Sequence, residues 1–205
     1  MASADIIDRI EKLVKQLALP ASVTSELSNS LSKNYYIGVE SIEKLVNTNI
    51  INVSPESLDF IKKYSFDLVK GVNEDLANKL RDTLSRNLME GGTRRDMAKD
   101  IKKIFDTTIE RARTIARTET NRAYSVGQLN AAKNSPVKLY KYIITVEDDR
   151  RSLLCSRLAK KYPKEKAIPV DSKFHDDTTG ESWLTTPFHP NERSIVVYTT
   201  SRKIN

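Results

Sequence analysis

The stretch TIERARTIARTETNRAYSVGQLNAAKN (residues 108–134), together with VKLYKYIITVE (residues 137–147) just after it, decides the fold class. In the first part, small residues recur every three or four positions, which is typical of one face of an α-helix. The second part has the alternating, β-branched pattern of a strand. Pro136 lies between the two parts, and proline does not continue a helix. The sequence therefore predicts a long helix followed by a strand.

The flanking regions extend this pattern in both directions. Near the C-terminal end, RSIVVYTTS (residues 193–201) has the same strand character, and residues 148–187 before it are polar and contain prolines. Residues 1–90 have the spacing of helices. We therefore predict an α+β fold class, with a helical N-terminal region of long helices followed by a small antiparallel β-sheet C-terminal domain. The predicted domains are residues 1–90 and residues 91–205.

Start and stop signals divide the helical part. An apolar stripe over residues 5–19 is stopped by Pro20, and a second helix is predicted within residues 22–47. Ser54 is the predicted N-cap of a third helix, in which Gly71 is a candidate break. The predicted boundaries beyond it are Gly91 with Gly92 as the helix end, Thr93 with Asp96 as the next start, and Asp106 or Thr107 as the cap of the long helix.

Composition and charge restrict the class of protein. No apolar run approaches the roughly 18 residues needed to cross a bilayer, so we expect no membrane partner. The single cysteine excludes a disulfide within the chain and fits a reducing compartment. Residues 1–90 hold 11 Lys and Arg against 13 Asp and Glu, whereas residues 91–205 hold 23 against 14. The basic second part favours contact with a polyanion, although a solvated lysine-rich surface has the same composition.

The small-residue stripe of the long helix contains one acid, Glu119. Ala116, Ala123 and Gly127 lie at the same helical spacing, and small side chains allow another element to approach closely. We expect this stripe to face the sheet domain and the Glu119 carboxylate to be partly buried. Its cationic partner is Arg122, one turn away, or an arginine of the C-terminal half, for which Arg150 or Arg193 is the candidate. A structural ion pair is favoured over a general base or a metal ligand.

Two further clusters contain the groups best suited to catalysis. EDDRRSLLC (residues 147–155) combines acids, arginines and the thiol of Cys155, and TTPFHPNERSIVVYTT (residues 185–200) contains His189 between two prolines. A catalytic cysteine requires a histidine close by, which His189 or His175 would supply. A zinc site requires four nitrogen or sulfur ligands, and no CxxC pair is present. We therefore predict no metal, no cofactor and no catalytic residue, and interpret His189 as a clamp that holds its loop in shape.

The order of these three segments closely resembles that of the Mu F-like phage minor head proteins, also called phage head morphogenesis proteins. Members of that family carry an A-R-T-E-x-x-x-A helix, a D-x-R-T-S-x-x-C segment and a closing P-F-H-P-N-C-R-S segment. The resemblance covers about residues 75–200. The matching residues of this chain are Ala116, Arg117, Thr118, Glu119, Ala123, Asp148, Arg150, Ser152, Cys155, Pro187, Phe188, His189, Pro190, Asn191, Arg193 and Ser194. The chain departs from the pattern at Arg151, in place of threonine, and at Glu192, in place of a second cysteine.

The resemblance implies a minor capsid protein of a tailed virus or provirus. Such proteins associate with the portal during assembly, enter the procapsid and contact packaged DNA. The implied partners are the portal protein, the major capsid or scaffolding protein, and double-stranded DNA without sequence preference. The implied locations are the capsid interior and, during assembly, the host cytoplasm. The alternatives are a Cys/His-dependent hydrolase or nuclease and a toxin-associated relative of the domain.

The predicted DNA contacts are the clustered cations of the basic part of the chain. They are Arg94, Arg95, Lys102, Lys103, Lys160, Lys161, Lys164 and Lys166.

Overall fold

The computed structural model describes residues 21–50, 54–89 and 94–201. Three long helices come first, followed by a short helix and five short strands, which confirms the predicted α+β class with a small antiparallel sheet near the C-terminus. The elements are α1 (Ala21–Val46), α2 (Pro55–Met89), α3 (Arg94–Lys133), β1 (Tyr140–Ile144), α4 (Leu153–Lys161), a 3-10 turn (Lys164–Lys166), β2 (Ile168–Pro169), β3 (Phe174–His175), β4 (Ser182–Trp183) and β5 (Ile195–Thr199).

The chain divides into two compact units. Of the described residues, one unit contains those within 21–28 and 63–116, and the other contains those within 29–62 and 117–201. Each unit is thus built from separate pieces of sequence, and the predicted division at residue 90 stays a prediction. Across the described ranges, no helix combines the length and the apolar character that a bilayer crossing requires.

Two predicted helix boundaries are wrong. Helix α2 continues through Gly71, since a glycine within a helix costs only about 1 kcal/mol relative to alanine. Helix α3 continues through Asp106 and Thr107. Thr107 Oγ1 donates a hydrogen bond to the Lys103 carbonyl at 2.9 Å. The polar side chain is therefore satisfied within the helix and does not cap a new one.

The other helix predictions have mixed outcomes. A helix within residues 22–47 is confirmed as α1, the start next to Ser54 is confirmed as α2, and α3 ends three residues before Pro136. The predicted helix over residues 5–19 and the signals at Gly91, Gly92 and Thr93 lie outside the described residues.

Within the second unit, α1 and α3 pack closely at a pair of glycines. A Cβ atom on Gly127 would collide with the backbone of Tyr35, and a Cβ atom on Gly38 would collide with that of Tyr124. Gly127 therefore faces α1, and the prediction that it faces the sheet is wrong. Ala116, predicted to lie in the same interface, is exposed because the helix turns that position to solvent.

The larger sheet has the strand order β2–β1–β5, and both pairings are antiparallel. Its inner face is buried through Ile143, Val196 and Tyr198, whereas the opposed pair Ile144 and Ile195 on the outer face is half exposed. This alternation follows from the two-residue period of a strand.

Aromatic rings join the β3–β4 hairpin to the segment that precedes β5. Phe174 of β3 packs edge to face against Tyr162 at 5.2 Å and against Phe188 at 6.1 Å, measured between ring centroids. Trp183 of β4 contacts Phe188 at 5.3 Å. This packing fixes the position of His189, the residue after Phe188.

Candidate functional site

The middle segment forms the N-terminus of helix α4. Ser152 is the N-cap, with extended backbone angles, and its Oγ accepts a hydrogen bond from the Cys155 amide at 3.1 Å. Lys160 and Lys161 lie in the last turn, where cations are favourable. This helix was not predicted from the sequence, although a serine before an apolar run and lysines at the end of the run are recognised helix signals.

Both ring nitrogens of His189 form hydrogen bonds. Nδ1 lies 2.7 Å from the Pro190 carbonyl oxygen, which only accepts, so Nδ1 is the donor. In the neutral ring Nε2 is then an acceptor. It lies 2.9 Å from Ser152 Oγ and 3.1 Å from Cys155 Sγ. The imidazole thus connects its own loop to the first turn of α4.

Glu192 contacts the same thiol from the loop that carries His189. Its carboxylate accepts hydrogen bonds from the Phe188 amide and, at 3.5 Å, from the Cys155 thiol. The side chain is buried, and burial raises the pKa of Glu192 above its ordinary value. Burial likewise raises the pKa of Cys155, with the nearby Glu192 charge acting in the same direction. Both effects favour the protonated thiol, which is the less nucleophilic form.

A second link joins the middle and closing segments. The Arg193 guanidinium binds both carboxylate oxygens of Asp148, at 2.6 and 2.5 Å. These hydrogen bonds lower the pKa of Asp148 to about 2. The Arg150 amide also donates to Asp148, at 3.1 Å, while the Arg150 side chain is exposed. Arg193 is therefore engaged with Asp148, which argues against its predicted pairing with Glu119.

The long helix joins the cluster through Thr118. Its Oγ1 accepts a hydrogen bond from the Asn191 amide at 3.1 Å. Asn191 has a φ of 63°, a left-handed conformation that asparagine tolerates better than most residues. Glu119 is buried and binds Arg122 at 3.0 Å, as predicted for the partner one turn away. Arg117 is exposed.

The three sequence segments therefore meet at one place. We call the connected residues the closing cluster, and they are Thr118, Asp148, Ser152, Cys155, His189, Asn191, Glu192 and Arg193. All of them are positions of the family pattern or departures from it. The role of Glu192 as the acceptor for the thiol was not predicted, because an acid within a charged loop has no sequence signal for burial.

The cluster has the thiol–imidazole pair of a cysteine hydrolase but lacks an accessible thiol and a space for a substrate. Thiol and imidazole lie within hydrogen-bond reach, as a nucleophile and its base do. Against this, the Cys155 side chain is buried, and the cavity beside it has a volume of about 20 Å³, room for about one water molecule.

Among the described residues, no group of three or more His, Cys, Asp and Glu side chains is arranged to hold a metal ion.

The predicted DNA contacts have different environments. Lys102, Lys103, Lys160 and Lys166 are exposed, and Lys164 is half-buried. Lys161 is engaged with Asp177 at 2.7 Å and with the His175 carbonyl at 3.1 Å. Arg94 and Arg95 begin α3, and their side chains lie outside the described part of the chain.

Replacement of Glu119 by alanine tests the buried ion pair. We expect the free energy of unfolding to fall by about 1–3 kcal/mol, because Arg122 loses its carboxylate partner in a largely buried place. The measurement is urea denaturation of both proteins. Glu110→Ala on the same helix removes an exposed pair with Arg113 and is the matched control, with an expected change of about 0.5 kcal/mol or less. Equal effects of the two substitutions would contradict the assignment.

Comparison with known proteins identifies the family. A family model described as Phage Mu protein F like protein matches residues 78–195, which include all three segments of the closing cluster. Comparisons with curated proteins and with solved structures found no match. Since the matched residues are more than half of the chain, the chain belongs to the Phage Mu protein F like family of phage head morphogenesis proteins.

Proposed function

We propose that this protein is a minor capsid protein that associates with the portal during head assembly, lies inside the capsid and contacts packaged DNA. The family supports a structural role in the head. The observation that carries the proposal is the closing cluster, in which the thiol, the imidazole and the carboxylates all form hydrogen bonds that hold the three segments together. The basic part of the chain supports contact with DNA.

Purified particles test this proposal directly. Heads from the phage or prophage that encodes the chain are expected to contain the protein in a few copies, and chemical cross-linking is expected to join it to the portal. The control is the same preparation from a strain that lacks the gene. Absence of the protein from both procapsids and mature heads would contradict the proposed role.

DNA contact predicts a steep dependence on salt. Binding of the chain to a mixed-sequence duplex is expected to weaken log-linearly with salt, with a slope of about −0.9 for each phosphate contacted. The measurement is fluorescence anisotropy between about 50 and 200 mM salt. Lys102→Glu with Lys103→Glu is expected to weaken binding and reduce the slope. Lys44→Glu, in the part of the chain that is not basic, is the matched control. A binding affinity that does not change with salt concentration would show that the cations form only a solvated surface.

The alternative function is a Cys/His-dependent hydrolase, favoured by the 3.1 Å distance between Cys155 Sγ and His189 Nε2. The raised pKa of Cys155 and the small adjoining cavity oppose it. We therefore propose that the protein is not an enzyme and that His189 is a loop clamp.

Replacement of His189 separates the two roles. His189→Ala is expected to lower the free energy of unfolding by about 1–3 kcal/mol, because Ser152 Oγ and the Pro190 carbonyl lose their partner. Incorporation into heads is expected to fall with it. The measurements are thermal denaturation, particle content, and metal content by mass spectrometry. Stoichiometric zinc in the wild-type protein, or a hydrolytic activity lost in a normally folded His189→Gln variant, would overturn the clamp.

A further inference from the structure

The edge of strand β1 that faces away from β5 is only partly covered. Strand β2 pairs with Tyr140 and Lys141 alone, and beyond them the Ile143 amide donates to the Tyr162 carbonyl at 3.0 Å. The amide and carbonyl of one strand residue point to the same side. The Ile143 carbonyl and, two residues on, the Thr145 amide therefore face the same edge. Neither has a hydrogen-bond partner among the described residues.

A groove of about 520 Å³ lies along this edge. Its far wall is the α4 face that carries Ser156 and Ala159, three residues apart, whose small side chains leave the groove wide. Tyr142 and Ile144 line the strand side, and Ile144 is half exposed. A strand edge that faces a helix across a groove is the geometry in which an extended peptide adds a strand to a sheet.

The rim of the groove carries more positive than negative charge. Lys160 and Lys164, and the acid Glu165, form no ion pair with another described residue, whereas Arg151 is paired with Glu147 at 3.3 Å. The groove lining therefore has a net charge of one positive unit. An occupant with carboxylates would meet these ammonium groups at the rim, and its apolar side chains would pack on Tyr142 and Ile144.

We propose that this groove binds a short extended peptide segment of alternating apolar and acidic residues, which pairs with the edge of β1. A nucleic acid fits less well, because a phosphate accepts from the Thr145 amide but offers no donor to the Ile143 carbonyl. The segment belongs to a partner protein. The inference does not depend on the proposed role in the phage head.

Titration with a fluorescein-labelled nonapeptide of alternating valine and glutamate tests the groove. We expect saturable binding by fluorescence anisotropy and a shift of the Thr145 amide signal in ¹⁵N-labelled protein. Lys160→Glu combined with Lys164→Glu is expected to weaken binding by about tenfold or more, because it reverses the charge of the rim. Lys166→Glu, an exposed lysine outside the groove, is the matched control with an expected change of less than about twofold.

A peptide methylated on every backbone nitrogen separates strand pairing from simple charge attraction. It keeps all of the side chains, including the carboxylates, but lacks the amide donors on both strand edges, so it is expected to lose binding. The proposal is overturned if the unmethylated peptide leaves the Thr145 signal unchanged at about 1 mM, if the methylated peptide binds equally well, or if the Lys166 variant loses as much affinity as the double variant. It is also overturned if duplex DNA, and not the peptide, shifts the Thr145 signal. Absence of the protein from phage heads would leave this result unaffected.

Discussion

Gly127→Ala is expected to disrupt the packing of α3 on α1, with a loss of more than about 3 kcal/mol in the free energy of unfolding. The added Cβ atom would overlap the Tyr35 carbonyl oxygen and lie 2.9 Å from its carbon. Backbone atoms cannot rotate away as a side chain does, so the two helices must separate. The separation also breaks the hydrogen bond from Asn130 to the Tyr35 hydroxyl, now 3.0 Å.

Two other glycines make this result interpretable. Gly38→Ala places a methyl group against the Tyr124 carbonyl on the opposite helix and is expected to have a similar effect. Gly71→Ala in α2 meets no atom within 4 Å and is the matched control. It is expected to stabilise the protein by up to about 1 kcal/mol, because alanine has the higher helix propensity. Chemical denaturation measures all three, and equal stability of the Gly71 and Gly127 variants would contradict the close helix contact.

Lys141→Met is expected to remove a rise in the free energy of unfolding between pH 7 and pH 10. The raised pKa of Cys155 adds a decrease of stability above about pH 8.5 to both proteins, so the difference between the two slopes reports Lys141. Lys141 lies on the inner face of β1 with no exposed surface, and burial lowers its pKa to about 7, reinforced by the charge of Lys133. In the unfolded chain the pKa is about 10.4. Between these two pKa values, Lys141 is protonated in the unfolded chain but largely neutral in the folded protein. Its contribution to the free energy of unfolding of the wild-type protein therefore rises with pH over this window, by at most about 1.4 kcal/mol per pH unit.

The slope is the measured quantity, because the substitution also removes contacts that do not depend on pH. Lys141 Nζ donates to the Leu184 carbonyl at 2.5 Å and lies 5.0 Å from the centroid of the Phe174 ring. Denaturation in urea at pH 7, 8, 9 and 10 gives the two curves. Lys138→Met, at an exposed lysine two positions before β1, is the matched control and is expected to keep the wild-type slope. Parallel curves for the wild-type protein and the Lys141 variant would show that this lysine titrates normally.

The sequence predicted the elements whose pattern is local. Helix α1 and strands β1 and β5 lie where apolar spacing and β-branched residues placed them, since those residues both form the element and face its buried side. Helix α4 was missed because it has only nine residues and its N-cap signal at Ser152 lies within a charged segment. The length of α3 was underestimated because aspartate and threonine, here Asp106 and Thr107, occur both as helix N-caps and at exposed positions within a helix.

The sequence by itself determined that Thr118, Cys155 and His189 belong to one family pattern, because the order and spacing of three short segments are readable without coordinates. Only the tertiary structure decided that these segments meet, through Asn191, Ser152 and Glu192. It also decided that Arg193 binds Asp148 in preference to Glu119, and that Gly127 approaches α1 in preference to the sheet. The physical reason is that helical spacing fixes which residues share a face. What that face meets depends on contacts between residues far apart in the chain, such as the 73 positions that separate Thr118 from Asn191.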